Sequence, residues 1–180
     1  MYALRLAERA DVPALATLLA ESVRGLSVGY YDSAVVEAAL REMLGVDTQL
    51  IDDGTYYVIE AGGTPVACGG WSGRRTLFGG DQFKDAADTR LDPTREPARI
   101  RAFFVHPAHA RRGLGRRLYE QCAAEAYAAG FRRLELVATL PGEPLYRALG
   151  FAAVEEVVVP LAGGLEMRGW RMTRGLNRAR

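Results

Sequence analysis

The feature that most constrains this chain is a strand-like run that stops at a proline and leads, through a glycine-containing turn, into a long amphipathic helix. Arg99–Val105 alternates with the two-residue period of a strand, which predicts that three side chains share one face: Ile100, Ala102 and Phe104. Pro107 cannot continue a hydrogen-bonded ladder, so the strand should end near His106. Gly115–Ala129 then has apolar residues at helical spacing, and Gly130 is a natural stop.

The rest of the chain alternates between strand-like and helix-like segments. Further strands are predicted at Tyr2–Leu6, Tyr56–Glu60, Pro65–Trp71, Leu134–Ala138, Phe151–Val159 and Leu165–Met172. Further helices are predicted to begin near Asp11, Ser33 and Pro144, and Asp11 and Ser33 can each serve as an N-cap. The Gly62-Gly63 pair between two strand-like runs indicates a hairpin. This order of elements indicates a mixed α/β fold.

Composition and organisation favour one ordinary globular domain. Hydrophobic residues make up 49% and charged residues 25% of the chain. Residues 73–98 are rich in Gly, Asp and Arg without a sustained period, which predicts an insertion loop. No linker or internal repeat divides the chain, so we expect a single domain over residues 1–180. The formal net charge is +1, so no overall field should draw the protein to nucleic acid or to a membrane.

The cysteines and the apolar pattern favour a cytoplasmic protein without a metal. Cys68 and Cys122 lie in apolar surroundings, far apart in the sequence, with no spacing that suits zinc or a disulfide framework. No apolar run approaches the roughly 20 residues that a membrane-spanning helix needs. The first residues also lack the pattern of a secretory signal. We therefore expect two reduced, buried cysteines and no bound metal.

The turn before the long helix has the composition of an anion site. The first N–H groups of a helix have no acceptor within it and lie at the positive end of its dipole, so phosphate binds there readily. Glycine lets an anion approach the main chain, and arginine adds charge in a rigid fork of donors. The segment predicts a diphosphate site made by Arg111, Arg112, Gly113, Leu114, Gly115 and Arg116.

A dinucleotide-binding turn with the pattern Gly-x-Gly-x-x-Gly is the nearest alternative for these glycines. Leu118 stands where the third glycine is needed, and the turn lies late in the chain. Glu135, at the distance where a ribose-binding acid is expected, falls inside a predicted strand instead of at its end. These departures disfavour the alternative.

Two stretches resemble motifs of the GCN5-related N-acetyltransferase (GNAT) superfamily. Phe104–Leu118 resembles the family's phosphate-binding motif, and Leu145–Phe151 resembles its later helix with a tyrosine and a Leu-Gly-Phe exit. Both lie at family-like spacing, and the order of elements from Tyr2 to Met172 also fits. The resemblance implies a mixed, mostly antiparallel sheet of about seven strands flanked by four helices. Ala110 departs from the family's usual Gln or Arg, but main-chain donors do most of the binding in such a loop.

The resemblance also implies an activity and its site residues. The expected reaction transfers an acetyl group from acetyl-coenzyme A to a primary amine of a small molecule or peptide. By analogy with the family, the main chain of Phe103, Phe104 and Val105 pairs with the pantetheine arm. Thr139 is expected to face the cleft, where its hydroxyl can bond the cofactor or the substrate. Tyr146 matches the family's tyrosine and is the candidate acid that protonates the leaving thiolate.

Several points stay open at the level of sequence. No general base stands out among Glu60, Asp81, Glu135, Glu143 and His106. The loop at 73–98 can help to shape the acceptor site through its charged side chains, Arg74, Arg75 and Asp81. A protein of the same fold that binds acyl-coenzyme A without turnover, as a sensor or interaction module, is the alternative function. The acceptor, the use of other acyl groups and the oligomeric state, including a homodimer, are undecided.

Overall fold

A seven-stranded sheet forms the centre of the protein. The computed structural model describes residues 1–84 and 88–177, and the elements below lie within them. The strands are β1 (Tyr2–Leu6), β2 (Tyr56–Ala61), β3 (Thr64–Ser72), β4 (Ala98–Val105), β5 (Arg133–Thr139), β6 (Ala152–Pro160) and β7 (Glu166–Gly175). Their spatial order is β1-β2-β3-β4-β5-β7-β6, and neighbours are antiparallel except for β4 and β5. The predicted mixed, mostly antiparallel α/β fold is confirmed.

Five α-helices occur in the described ranges: α1 (Val12–Leu26), α2 (Ser33–Glu42), α3 (Thr48–Asp52), α4 (Leu114–Ala128) and α5 (Glu143–Ala148). Four of them match the predicted helices within a few residues. The sequence does not predict α3, because five residues are too few to show a helical period. The N-cap of α2 is Asp32, one residue before the predicted Ser33.

Within residues 1–84 and 88–177, no helix is both long and apolar enough to cross a lipid bilayer. The same residues contain no group of three or more His, Cys, Asp or Glu side chains arranged to hold a metal ion.

Apolar side chains pack on both faces of the sheet. The face covered by α4 and α5 has the larger core, in which Leu118 and Leu134 are fully buried. The opposite face, covered by α1 and α3, buries Leu15 and Leu50. Full burial of one such side chain stabilises the fold by about 1.5–3 kcal/mol. Because β4 contributes residues to both cores, packing on both faces of the sheet fixes its conformation.

Strand β4 contains a β-bulge that the sequence pattern does not reveal. The pairing with β3 shifts at Gly69, which lies opposite both Ala102 and Phe103, and Ala102 has a φ of 53°. An extra residue in one strand reverses the alternation of side chains beyond it. Ile100 therefore packs on the α4 side, whereas Ala102 and Phe104 pack on the α1 side. The prediction that these three residues share one face is wrong.

Residues 73–84 and 88–97 form the predicted loop between β3 and β4, and specific contacts tie it down. Its Leu91 is 6% exposed and belongs to the larger core. The charged loop side chains that were predicted to contact a substrate instead have partners within the protein: Arg74 with Asp53 at 2.6 Å, Arg75 with Glu96 at 2.8 Å, and Asp81 with the Thr48 hydroxyl at 2.7 Å. The expectation that they shape the acceptor site gains no support from these contacts.

A buried charge cluster joins the loop to β4. The side chains of Arg101 and Asp47 are 2% and 1% exposed, and Arg101 Nη2 lies 2.7 Å from Asp47 Oδ2. Lys84 Nζ contacts the other Asp47 oxygen. Arg101 also donates to the carbonyl oxygens of Thr76, at 3.0 Å, and Gly79, at 2.6 Å. Burial lowers the pKa of Arg101, and the charge of Asp47 opposes that shift. The cluster holds the loop beside the bulge.

We expect Asp47→Ala to lower the free energy of unfolding by about 3–5 kcal/mol, because it leaves the buried Arg101 guanidinium without its counter-ion. Asp52→Ala is the matched control, since Asp52 pairs with Arg9 in an exposed ion pair. Its loss should be about 1 kcal/mol or less. Urea denaturation of both variants measures the difference, and equal losses would contradict the role assigned to the buried pair.

Candidate active site

The segment before α4 presents an uninterrupted row of main-chain donors. Arg111 and Gly113 have left-handed φ angles of 62° and 79°, and such alternation turns successive N–H groups toward one side. In the part of the chain that the structure describes, the six amides of residues 111–116 have no acceptor. The first helical bond runs from the Arg117 N–H to the Gly113 carbonyl at 3.0 Å. The segment is therefore a set of six N–H groups at the positive end of a helix.

The side chains of this segment divide between solvent and core. Three exposed guanidinium groups belong to it, those of Arg111, Arg112 and Arg116. Leu114 is buried, so only its main chain can meet an anion. A Cβ on Gly115 would lie 2.7 Å from Leu145 Cδ2, so this glycine lets α4 and α5 pack closely. Nothing lies within 4 Å of a Cβ built on Gly113. Gly113 is thus the glycine that keeps the approach to the main chain open.

Strand β1 braces this segment from the edge of the sheet. Arg112 Nη1 lies 3.4 Å from the Tyr2 hydroxyl, and Arg117 Nη1 donates to the Tyr2 carbonyl at 3.0 Å. The same hydroxyl is 2.9 Å from His109 Nδ1. Tyr2 therefore attaches this part of the chain to the sheet through two groups, its hydroxyl and its carbonyl.

Strands β4 and β5 separate after two paired residues. The second and last pair is Arg99 with Glu135, after which β4 continues for six residues and β5 for four. The bulge lies within the separated part and turns the Phe103 ring toward α5, where it lies 6.3 Å from the Tyr146 ring. Main-chain groups that face the gap have no neighbouring strand to bond, which makes them available to a ligand.

One donor in the separated part of β4 is already satisfied. The Val105 N–H donates to the hydroxyl of Ser22 in α1 at 3.1 Å, and Ser22 is 4% exposed. Of the three residues predicted to face the pantetheine arm, Val105 therefore has its amide already engaged. The sequence gives no sign of Ser22, because its partner lies 83 residues away.

Tyr146 has a buried ring at the open end of the separation. Its side chain is 8% exposed, and its ring lies 5.7 Å from that of Phe151. Burial raises the pKa of Tyr146, so the phenol keeps its proton at neutral pH. A Cβ on Gly142 would lie 3.2 Å from Thr139 Oγ1 and 3.6 Å from Tyr146 Cε2, so the Thr139 hydroxyl and the Tyr146 ring are neighbours. Phe103, Thr139 and Tyr146 thus come together in space.

The groups considered as a general base are each engaged elsewhere. The four carboxylates have the following partners: Glu60 with Arg5, Asp81 with Thr48, Glu135 with Arg99 and Arg171, and Glu143 with Arg147. His106 accepts a hydrogen bond from the Ala108 N–H through Nδ1 at 3.1 Å, and its Nε2 lies 3.3 Å from Glu21. One nitrogen of that ring therefore holds the turn at the end of β4, and the other faces Glu21 of α1.

A tyrosine that the sequence does not single out fastens the connection between α1 and α2 to β5. The Tyr31 hydroxyl accepts from the Leu140 N–H at 2.8 Å and donates to the Arg168 carbonyl at 2.6 Å. Strands β5 and β7 are paired up to Thr139 and Gly169, so this hydroxyl replaces the next main-chain bond of the ladder. Burial raises the pKa of Tyr31 to about 12. The phenol is a donor and an acceptor at once.

Comparison with known protein families agrees with this geometry. The model of the acetyltransferase (GNAT) family matches residues 20–151, a range that includes the row of donors, the separated strands and Tyr146. The chain belongs to the GNAT acetyltransferase family. The resemblance predicted from the two sequence motifs is thereby confirmed. No curated protein matches this GNAT sequence.

Solved structures share the GNAT fold at low sequence identity. A GCN5-related N-acetyltransferase from Rhodopseudomonas palustris is 19% identical with a TM-score of 0.71, covering 97% of this chain and 95% of that one. PaiA N-acetyltransferase from Thermoplasma acidophilum, in complex with coenzyme A, is 11% identical with a TM-score of 0.64, covering 97% and 99%. YncA, a putative acetyltransferase from Salmonella typhimurium with its cofactor acetyl-CoA, is 19% identical with a TM-score of 0.63, covering 100% and 96%. These similarities establish a common fold.

In this GNAT protein we expect Tyr31→Phe to lower the free energy of unfolding by about 1–3 kcal/mol, because it leaves the Leu140 N–H and the Arg168 carbonyl without their partner. Tyr30→Phe is the matched control, since Tyr30 is 49% exposed and adjacent in sequence. Its effect should stay within about 0.5 kcal/mol. Thermal and urea unfolding compare the two, and a control that loses as much stability would refute the bridging role.

Proposed function

We propose that this GNAT protein transfers the acetyl group of acetyl-coenzyme A to a primary amine by direct attack, in the gap between β4 and β5. The observation that carries the proposal is the row of six available amides at residues 111–116, next to a separated pair of strands that leads to a protonated Tyr146. A cofactor with a diphosphate at one end and a reactive thioester at the other fits such an arrangement.

The cofactor would be held mainly by the main chain. Its diphosphate would lie on the six amides, with added charge from Arg111, Arg112 and Arg116, while Leu114 and Gly115 contribute N–H groups alone. The pantetheine arm would pair with the stretch at 103–105. Because Ser22 already holds the Val105 N–H, we expect the other main-chain groups of that stretch to provide most of the bonding. The Thr139 hydroxyl would contribute one further hydrogen bond.

Acetyl-coenzyme A supplies an activated acyl group as a thioester. A primary amine with an ordinary pKa near 10.4 is protonated at neutral pH, and forming its neutral state costs about 4.6 kcal/mol. Because the five candidate bases are engaged, we propose that water accepts this proton. The neutral nitrogen then attacks the carbonyl carbon, and the tetrahedral intermediate loses a second nitrogen proton to water as the carbon–sulfur bond breaks. The thiolate takes the proton of the Tyr146 hydroxyl. Tyrosinate recovers its proton from solvent.

Binding of acyl-coenzyme A without turnover is the alternative function, and no contact among the described residues favours it. A sensor would have no need for a proton donor at the reacting end of the gap. The Tyr146 hydroxyl is such a donor, and burial raises its pKa further above neutrality, so it is protonated at neutral pH. The variant tests below separate binding from turnover.

We also propose that the protein works in a reducing compartment, the cytoplasm. Cys68 and Cys122 are free thiols buried in two different cores. Burial raises the pKa of Cys68 to about 12, so this thiol stays protonated and unreactive. Neither cysteine therefore relies on an oxidising environment.

We expect Gly113→Ala to weaken coenzyme A binding about tenfold, because alanine disfavours the φ of 79° that aims the amides. Gly54→Ala is the matched control: Gly54 has a φ of 69°, and nothing lies within 4 Å of its Cβ position. Both variants should lose about 1–2 kcal/mol of stability, but only Gly113→Ala should change the dissociation constant measured by calorimetry. Equal affinity in the two variants would contradict the proposed cradle.

We expect Tyr146→Phe to lower kcat about 10²-fold, at the low end of the range for general acids, because a thiolate leaves fairly well without help. Coenzyme A affinity should stay within about twofold. Tyr119→Phe is the matched control, because the Tyr119 ring also packs on Phe151, at 5.8 Å. Release of free thiol from acetyl-coenzyme A in an amine screen measures kcat. Loss of turnover in both variants would indicate a packing role for Tyr146 instead of proton donation.

A further inference from the structure

A pocket of about 400 Å³ opens beside the proposed reaction site. One wall is the connection between α1 and α2, residues 29–32, and the opposite wall is formed by Glu166 and Arg168 at the start of β7. Leu140, which follows β5, also lines it. None of these residues belongs to the proposed cofactor cradle.

A single residue, Leu140, connects this pocket to the reacting end of the gap. Leu140 directly follows Thr139, whose hydroxyl neighbours the Tyr146 ring across Gly142. The Tyr31 hydroxyl, bonded to the Leu140 N–H at 2.8 Å, fixes the α1–α2 connection at this point. An amine that reacts next to Tyr146 would therefore extend the remainder of its molecule toward the pocket.

The charges around the pocket are predominantly negative. Asp32 occupies the N-cap position of α2, yet its carboxylate makes no capping hydrogen bond, and it forms no ion pair within residues 1–84 and 88–177. On the opposite wall, Arg168 pairs with Glu166 at 2.5 Å, and it also pairs at 3.1 Å with Glu156, which does not line the pocket. These four side chains carry three negative charges and one positive charge. A cation entering the pocket would compensate this excess.

Aromatic side chains add a second feature that suits a cation. Tyr30 and Tyr31 both line the pocket, and Tyr30 is 49% exposed. An ammonium group near the face of a tyrosine ring is attracted by the ring's negative face, in addition to any carboxylate nearby. A carboxylate tail would meet only Arg168, which two glutamates already hold, and an apolar tail would gain from neither feature.

We propose that the acceptor carries a second ammonium group, separated by a short aliphatic spacer from the amine that is acetylated, and that this second group binds in the pocket against Asp32. The proposal rests on the proposed function, because it concerns the acceptor of that reaction. It assigns the α1–α2 connection to acceptor selection and leaves the cofactor site unchanged.

The test compares linear diamines with amino alcohols of the same length, with spacers of three to six carbons. Release of free thiol from acetyl-coenzyme A gives kcat/KM for each. We expect the best diamine to exceed its amino alcohol at least tenfold, well above the twofold that two equivalent amines would give by statistics. Asp32→Asn should reduce this ratio about tenfold. Glu37→Gln, an acid of α2 that pairs with Arg24 and lines a different groove, should preserve it.

Three outcomes overturn the proposal. Equal kcat/KM for diamine and amino alcohol at every length would show that no second cation is recognised. A preference that survives in Asp32→Asn, or that falls equally in Glu37→Gln, would place the recognition elsewhere. Failure of the proposed function itself has a different signature: coenzyme A still binds, but no amine of either series releases thiol, and the inference about the acceptor falls with it.

Discussion

The register shift in β4 opposite Gly69 determines where the residues of the site point. Before the shift, Arg101 faces the α1 side of the sheet, and after it Phe103 faces the α5 side. Gly69 has no side chain to obstruct the Phe103 ring that lies over it, and the Tyr56 hydroxyl bonds the Ala102 carbonyl at 3.1 Å. A regular strand would send Phe103 toward α1 and leave Tyr146 without its neighbour in the gap.

Local sequence signals predict the elements, whereas the contacts that shape the site are distant in sequence. Periodicity, proline and glycine suffice for the strands, four helices and the donor row, because each depends on residues close together. They do not suffice for α3, which is too short, or for the bulge, whose cause lies on another strand at Gly69. Ser22 and Tyr31 act on main-chain groups 83 and 109 residues away, and nothing near them in the sequence marks them. The roles of Tyr146 and Thr139 follow from family resemblance and stay predictions.

Arginine performs two different tasks in this protein. Lys84 is the only lysine among 23 basic residues, so nearly all positive charge is carried by guanidinium groups. Many of these bind carboxylates, as Arg99 and Arg171 do on either side of Glu135. The three at the donor row form no ion pair with any described residue, which leaves their charge available. A net charge of +1 is therefore compatible with a strongly positive local site.

The anion site before α4 is made of main-chain amides, whereas the pocket beside Tyr31 is made of side chains. Main-chain donors persist whatever side chains surround them, except where a left-handed φ excludes most residues, as at Gly113. The pocket, in contrast, is lined by a few side chains, several of them on the short connection between α1 and α2. Under the proposed acceptor role of this pocket, exchange of two or three residues there would give the protein a new acceptor while the sheet and the row of amides stay intact. In proteins that descend from such a chain, the acceptor can therefore change much faster than the acyl donor.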